Sequence, residues 1–297
     1  MQKKKKQHYV WKEYLRNWSK DNYINSIFLS KKKTLKINLV NTSQKNYFYS
    51  LPDFTDQEFL EIVSLVNDHA SKYLRPEILK IIFFMYENSE NAKNSESEVK
   101  HIFDINKINM MEDFFTITEG LGKKFLNTKS LKQLKELIIN GNDYNNLLIF
   151  ISFQYIRTKK MKERLLYSIM KKGYYKEKYW IIFQIIYGFE IAVGLAIRKK
   201  ININVLVNNS KLNFLTCDNP IFNLSEDDKN TDGFVKHLHL YYPLNPKTAI
   251  IISPSNINDI IETNITEKEI KDLNRKVYNN ALENIYYLET EDLNYIF

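Results

Sequence analysis

The chain has a single cysteine, Cys217, in 297 residues. That count excludes an intramolecular disulfide framework and any zinc site built from several thiolates, and it fits a reducing cytoplasm. Cys217 is then either a small buried hydrophobe or a lone nucleophile, and burial is the commoner fate of a free thiol. An apolar leader is also lacking: Lys3 to Lys6 run straight into His8 and Tyr9, so no secretory signal is expected. The one long apolar run, Tyr179 to Ile197, contains Gln184 and Glu190. It reads as a helix buried on all sides rather than a membrane span, because an intramembrane carboxylate is costly. No Gly-x-Ser-x-Gly elbow and no His-Glu-x-x-His occurs, which removes support for the common hydrolase and zincin readings. Glu119 to Lys124 resembles a phosphate loop but has Ile117 in place of its first glycine and Lys124 in place of Ser/Thr, and so does not match.

What is present suits a single domain. With 44% hydrophobic residues, a chain of this length buries a large core. The spacing predicts short strands over 24–29, 35–40 and 47–49, which form a small N-terminal sheet within 7–50. A helical part, 55–199, opens at Thr55-Asp56-Gln57-Glu58, a capping-box pattern followed by Phe59, Ile62, Val63 and Val66. It continues through 79–86, 111–126 and 131–139, with a polar linker over 88–94. Leu147 to Met170 and Tyr179 to Ile197 are its two longest helices, joined at Gly173. The strand-rich part, 201–297, has strands over 203–207, 213–216, 236–241 and 248–252 and a closing helix over 270–282. Four of the six prolines, at 220, 243, 246 and 254, mark loops of this part, where functional side chains tend to be presented. The fold class expected is α+β, a helical middle with a small N-terminal sheet and a C-terminal antiparallel or mixed sheet.

Charge is unevenly divided. Residues 1–50 hold twelve Lys+Arg against two Asp+Glu and residues 151–200 hold twelve against three, while 51–150 and 201–297 carry net charges of −5 and −6. Two basic blocks side by side would make a positive face able to neutralise phosphates, with interleaved aromatics stacking on bases. Their alternative reading is solvated lysine in a Lys-, Asn- and Ile-rich composition.

Chemistry-bearing residues gather in four separated stretches: Gln7 to Trp18, Phe153 to Thr158, Thr216 to Pro220 and Tyr242 to Pro246. Together these resemble a family of uncharacterised bacterial proteins, domain of unknown function 4238, whose members open with a similar His-Tyr-Val-Pro-x-x-Tyr-Leu-Arg-Asn-Phe string. The resemblance spans nearly the whole chain. Trp11 stands where the family has proline and Cys217 where it has serine, and neither change removes a charged group. The resemblance implies a bacterial origin and no particular reaction.

Within those stretches Gln154 and Arg157 share a helix face, with Arg164 one heptad further on. This is either a clamp for phosphate or carboxylate or a set of internal salt bridges, with Glu119 or Asp218 as partner. Asp218 and Asn219 follow a strand, where the carboxylate can act as base or metal ligand or serve a turn. His8 titrates near neutrality or anchors the N-terminal turn. His237 and His239 alternate on a strand and could join Asp218 at a metal, although a solvated strand face is the commoner arrangement; no metal site is assigned. Two functions follow. One is an intracellular, nuclease-like or other phosphate-substrate enzyme on RNA or DNA, with anti-phage defence as a candidate role. Its catalytic residues are His8, Arg157 and Asp218, its substrate contacts Arg16, Gln154, Arg164 and Asn219, with Glu119 as a further acid and Mg²⁺ as a candidate cofactor. The other is a non-catalytic sensor that binds nucleic acid or protein, with a partner protein or a second copy of the chain as further associates. An enzyme requires His8, Arg157 and Asp218 to converge in one accessible cleft. The opening stretch is expected to pack on the Leu147 to Met170 helix, bringing His8 or Arg16 near Gln154 and Arg157.

Overall fold

A computed structural model of the chain describes residues 2–128, 131–171, 176–197, 200–226, 237–256 and 259–296. Its elements in order are β1 (Lys6–His8), α1 (Lys12–Leu15), β2 (Ser19–Lys20), β3 (Tyr23–Phe28), β4 (Lys33–Asn38) and β5 (Gln44–Asn46), then α2 (Asp56–His69), α3 (Arg75–Asn94), α4 (Ser97–Leu126), α5 (Leu131–Ile139), α6 (Gly141–Ile156), α7 (Lys159–Lys171) and α8 (Trp180–Ile197). The C-terminal part adds β6 (Lys200–Asn208), β7 (Thr216–Cys217), β8 (Phe222–Asn223), β9 (Leu240–Asn245), β10 (Thr248–Ser255), β11 (Asp259–Ile265), α9 (Glu267–Asn280) and β12 (Asn284–Tyr287). This is the α+β class, with the helical middle between strand-rich ends.

Local chemistry accounts for several helix starts. Thr55 accepts from the Glu58 amide at 3.2 Å while Glu58 accepts from the Thr55 amide at 3.0 Å, so α2 starts where the capping box reads. Thr266 and Glu269 make the same box for α9, whose Ile270, Asn274 and Val277 form the buried stripe. α8 packs on α6 and α7. Its polar residues are bonded internally: Gln184 donates to the Ile156 carbonyl at 3.3 Å, although its Oε1 has no protein partner, and Glu190 accepts from the Ser71 amide at 2.6 Å. By length and composition α8 is the one helix among the described residues able to cross a membrane.

The sheets depart from the expected plan. β1 pairs with β5, and β3 is paired along one edge by β4 and along the other by β2 and β12. β12 in turn pairs with β7, so the N-terminal sheet is completed by C-terminal strands. The other sheet runs β11-β6-β10-β9-β8, antiparallel except for the β11–β6 pair, and is therefore mixed. A cluster including Ile27, Phe214, Cys217, Tyr241, Ile270 and Ile285 fills the space under α9, where residues of both sheets meet.

Several expectations are corrected. Residues 88–94 are the last turns of α3 and not a linker, because Asn88, Ser89 and Ala92 are buried in its face. The strand expected at 47–49 lies at 44–46, since Tyr47 turns the chain with a φ of 55°. Residues 213–215 lie outside a strand, and β7 is 216–217 alone. The long helix over 147–170 is two helices, α6 and α7, broken at Arg157 and Thr158, and Gly173 lies outside the described residues.

Close helix packing depends on two glycines. A Cβ at Gly122 would stand 2.3 Å from the Phe150 ring, and one at Gly188 would stand 2.4 Å from the Phe153 ring. Gly122→Ala and Gly188→Ala are expected to destabilise by about 1–3 kcal/mol through overpacking, despite alanine's helix preference. Gly120→Ala meets nothing within 4 Å and should stabilise by roughly 0.5–1 kcal/mol. Urea unfolding of the three variants checks the contrast.

Candidate functional site

The four chemistry-bearing stretches are remote in sequence and meet along one buried seam. The Tyr14 hydroxyl lies 2.6 Å from Thr216 Oγ1 and donates to the Pro243 carbonyl at 2.8 Å. Asn17 donates to the Leu244 carbonyl at 2.8 Å, and the Trp18 indole to the Phe214 carbonyl at 2.7 Å. Thr158 Oγ1 is 2.5 Å from Asn219 Oδ1 and also accepts from the Met161 amide at 3.3 Å. The second bond is an N-cap, and it explains why α6 ends and α7 restarts here.

Arg157, in the break, is 1% exposed. Its Nη1 pairs with Glu119, its Nη2 donates to the His8 carbonyl, and its Nε reaches the Tyr49 hydroxyl at 3.5 Å. Tyr49 returns a bond to the Arg157 carbonyl at 2.7 Å, and the guanidinium lies 4.3 Å from the centre of the Phe115 ring. Burial opposes the charge, yet Glu119, Tyr49 and Glu112 outweigh it and raise the arginine further above its ordinary range. The two carboxylates lie seven apart on α4 and so face the same side. Glu112 is pushed upward by burial and by Glu119, against the pull of Arg157. Its Oε2 has no protein partner, and neither has the His8 Nε2. Burial, Arg157 and Lys12 lower His8 to about 4, so its ring is neutral around pH 7.

Asp218 is 1% exposed. Its carboxylate accepts from the Leu282, Glu283 and Asn284 amides at 2.9, 2.7 and 3.1 Å. Burial raises Asp218 to about 6 even against these three donors. Asn219 donates to Asn280 Oδ1 at 3.1 Å and accepts on its own carbonyl from Asn280 Nδ2 at 2.8 Å. Both residues therefore clasp the turn between α9 and β12. Of the roles open to Asp218, its bonds are those of the turn, and Cys217 is buried as expected, its thiol pushed up by burial.

The structure thus brings His8, Glu119 and Arg157 together, through the His8 carbonyl rather than its ring. Gln154 is buried, with an amide nitrogen that has no partner. Arg16 is elsewhere, exposed and forked onto Glu13 at 2.7 and 3.0 Å. Arg164 pairs with Glu226 at 2.7 Å, since the helix break removes it from the Arg157 stripe. His239 bonds Ser225 at 2.8 Å and its ring stacks on His237. Among the described residues no three His, Cys, Asp or Glu side chains are grouped to hold a metal ion. Cavities of about 350 and 280 Å³ lie away from the seam, one lined by Tyr144, Ile203 and Ile260 and the other by Phe84, Met110 and Phe114. Sequence reasoning missed Glu112, Tyr49 and Asn280. The i, i+7 spacing of Glu112 and Glu119 on a predicted helix was a usable signal, whereas Tyr49 and Asn280 carried none.

The fold and seam define an α+β protein whose shared polar residues join distant segments. A family model for proteins of unknown function, DUF4238, matches residues 6–181 and 177–291, and the chain belongs to that family. No curated protein and no solved structure matches it.

Removing the Asp218 carboxylate takes the acceptor from three amides, that of Asn284 buried and those of Leu282 and Glu283 partly buried, each loss worth about 1–3 kcal/mol. Asp218→Ala is expected to lose at least about 3 kcal/mol in urea unfolding, while Arg16→Ala, on the exposed surface, changes stability by less than about 1 kcal/mol. His8 and Asp218 also give opposite pH dependences. The unfolded chain protonates His8 below its ordinary 6.5 and the folded chain only near 4, so His8 makes stability fall as pH drops through that window. Asp218, raised from 3.8 to about 6, keeps its proton longer when folded and makes stability fall as pH rises through its own window. Unfolding of wild type and His8→Gln between those pH values should show a shallower acid-side loss in the variant; parallel curves would contradict the assignment.

Proposed function

We propose that this protein is a nucleic-acid-binding module that holds phosphates on its lysine-rich N-terminal strands, and that the polar seam serves the fold. The carrying observation is the unequal fate of the two basic blocks. Among the described residues of the second, Lys159 pairs with Glu283, Lys162 with Glu177, Lys176 with Glu58 and Glu61, and Lys178 with Glu58. In the first, Lys4 pairs with Asp113, and Lys12 and Arg16 with Glu13. Among the described residues, Lys3, Lys5, Lys20, Lys31, Lys33 and Lys45 are exposed and make no ion pair. Unpaired cations on and beside the strands of the two N-terminal sheets, β1-β5 and β2-β3-β4, are an electrostatic footprint for a polyanion.

The enzyme reading has less support, because His8 and Asp218 face different partners and Arg157 has its donors occupied. Fluorescence anisotropy with mixed-sequence DNA and RNA tests the reading. Affinity should fall steeply with rising salt, with Lys31→Glu/Lys33→Glu weakening every sequence alike. A salt-insensitive affinity, or binding only to vesicles of phosphatidylserine and phosphatidylcholine, would overturn it.

A further inference from the structure

Resting on that reading, we propose that the N-terminal strands select single-stranded nucleic acid, stacking unpaired bases on Tyr23 and Tyr47. Both rings are 44% exposed, and both stand among lysines. Tyr23 opens β3 directly after Asp21 and Asn22, whose φ values of 53° and 62° form a tight two-residue hairpin turn. That turn sets Lys20 directly opposite Tyr23. On the other edge of β3, Asn25 pairs with Lys36, so Tyr23, Lys20 and Lys36 share one face of the sheet. Lys36 Nζ lies 5.7 Å from the centre of the Tyr23 ring. A ring flanked by two cations offers a base a stacking surface and its neighbouring phosphates a counter-charge.

Tyr47 carries a second, independent sign. Its φ of 55° is a left-handed backbone that a bulky side chain adopts at a cost, and asparagine or glycine would relieve it. The position is fixed on both sides. The Tyr47 amide donates to the Lys5 carbonyl at 2.9 Å, and Phe48 and Tyr49 beyond it are buried. The strained residue thus exposes an aromatic ring, at a position whose backbone is bonded to Lys5 and which lies two residues after Lys45, when a small polar residue would fit the backbone better. In a duplex the base faces are covered by their neighbours, so exposed rings add nothing there. On a single strand each stacked base adds affinity with little regard to sequence.

The test compares one oligonucleotide as a single strand and as a duplex, in DNA and in RNA, by anisotropy at fixed salt. The proteins are wild type, Tyr23→Ala, Tyr23→Phe, Tyr47→Ala and Tyr47→Asn, the last keeping a residue that accepts the left-handed backbone. Expected are tighter binding of the single strand, a roughly five- to hundredfold loss for it in Tyr23→Ala, Tyr47→Ala and Tyr47→Asn, unchanged duplex binding, and near wild-type behaviour in Tyr23→Phe. Equal affinity for the two forms, or tyrosine variants that bind the single strand as wild type does, overturns the selection and leaves the phosphate-binding reading standing. Binding to neither form overturns both.

Discussion

A buried guanidinium must be surrounded by acceptors, and Arg157 draws them from three remote parts of the chain. Glu119 comes from α4, the His8 carbonyl from the end of β1, and Tyr49 from the turn after β5. Leaving one partner out would strand a charge in a medium where that costs several kcal/mol. The N-terminal segment, the long helix and the α6–α7 break must therefore settle together. Thr158, next in sequence, extends the same junction to Asn219 and through it to Asn280. One helix break thus connects the helical layer to the start of the chain and to its C-terminal sheet.

This junction explains why residues with the look of a catalytic set do structural work. Arginine, histidine, aspartate and asparagine suit catalysis because they form strong, directional bonds, and those bonds are equally suited to joining segments that share no hydrophobic stripe. Exposure decides between the two uses. Here the side chains of Arg157, Asp218 and Asn219 are buried, and each Asp218 oxygen already faces backbone amides. The unpartnered His8 Nε2 and Glu112 Oε2 lie beside that junction, one held neutral and the other raised toward its neutral form by the same desolvation that confines Arg157.

Charge follows the same logic. Summed along the sequence, 151–200 is nearly as basic as 1–50. In space the second block lies against acidic residues of α2, α4 and the segment after α9 and loses its outward field to them. In the first block Lys4 pairs with Asp113 and Lys12 with Glu13, while Lys3, Lys5, Lys20, Lys31, Lys33 and Lys45 make no ion pair among the described residues.

The α+β class, the capping box at Thr55, the core character of the run over 179–197 and the clustering of chemistry-bearing residues in four stretches were legible in the sequence, whereas the box at Thr266 starts α9 three residues before the helix expected over 270–282. Each rests on local periodicity or on residue chemistry within one turn. The break at Arg157 was half legible, since Thr158 is a good N-cap, but the apolar spacing runs through it and hid it. β12 completing the N-terminal sheet, the pairing-off of the second basic block and the burial of Asp218 had no local signal. Strand partners, ion-pair partners and exposure are set by which distant segments share a core, and only tertiary packing decides that.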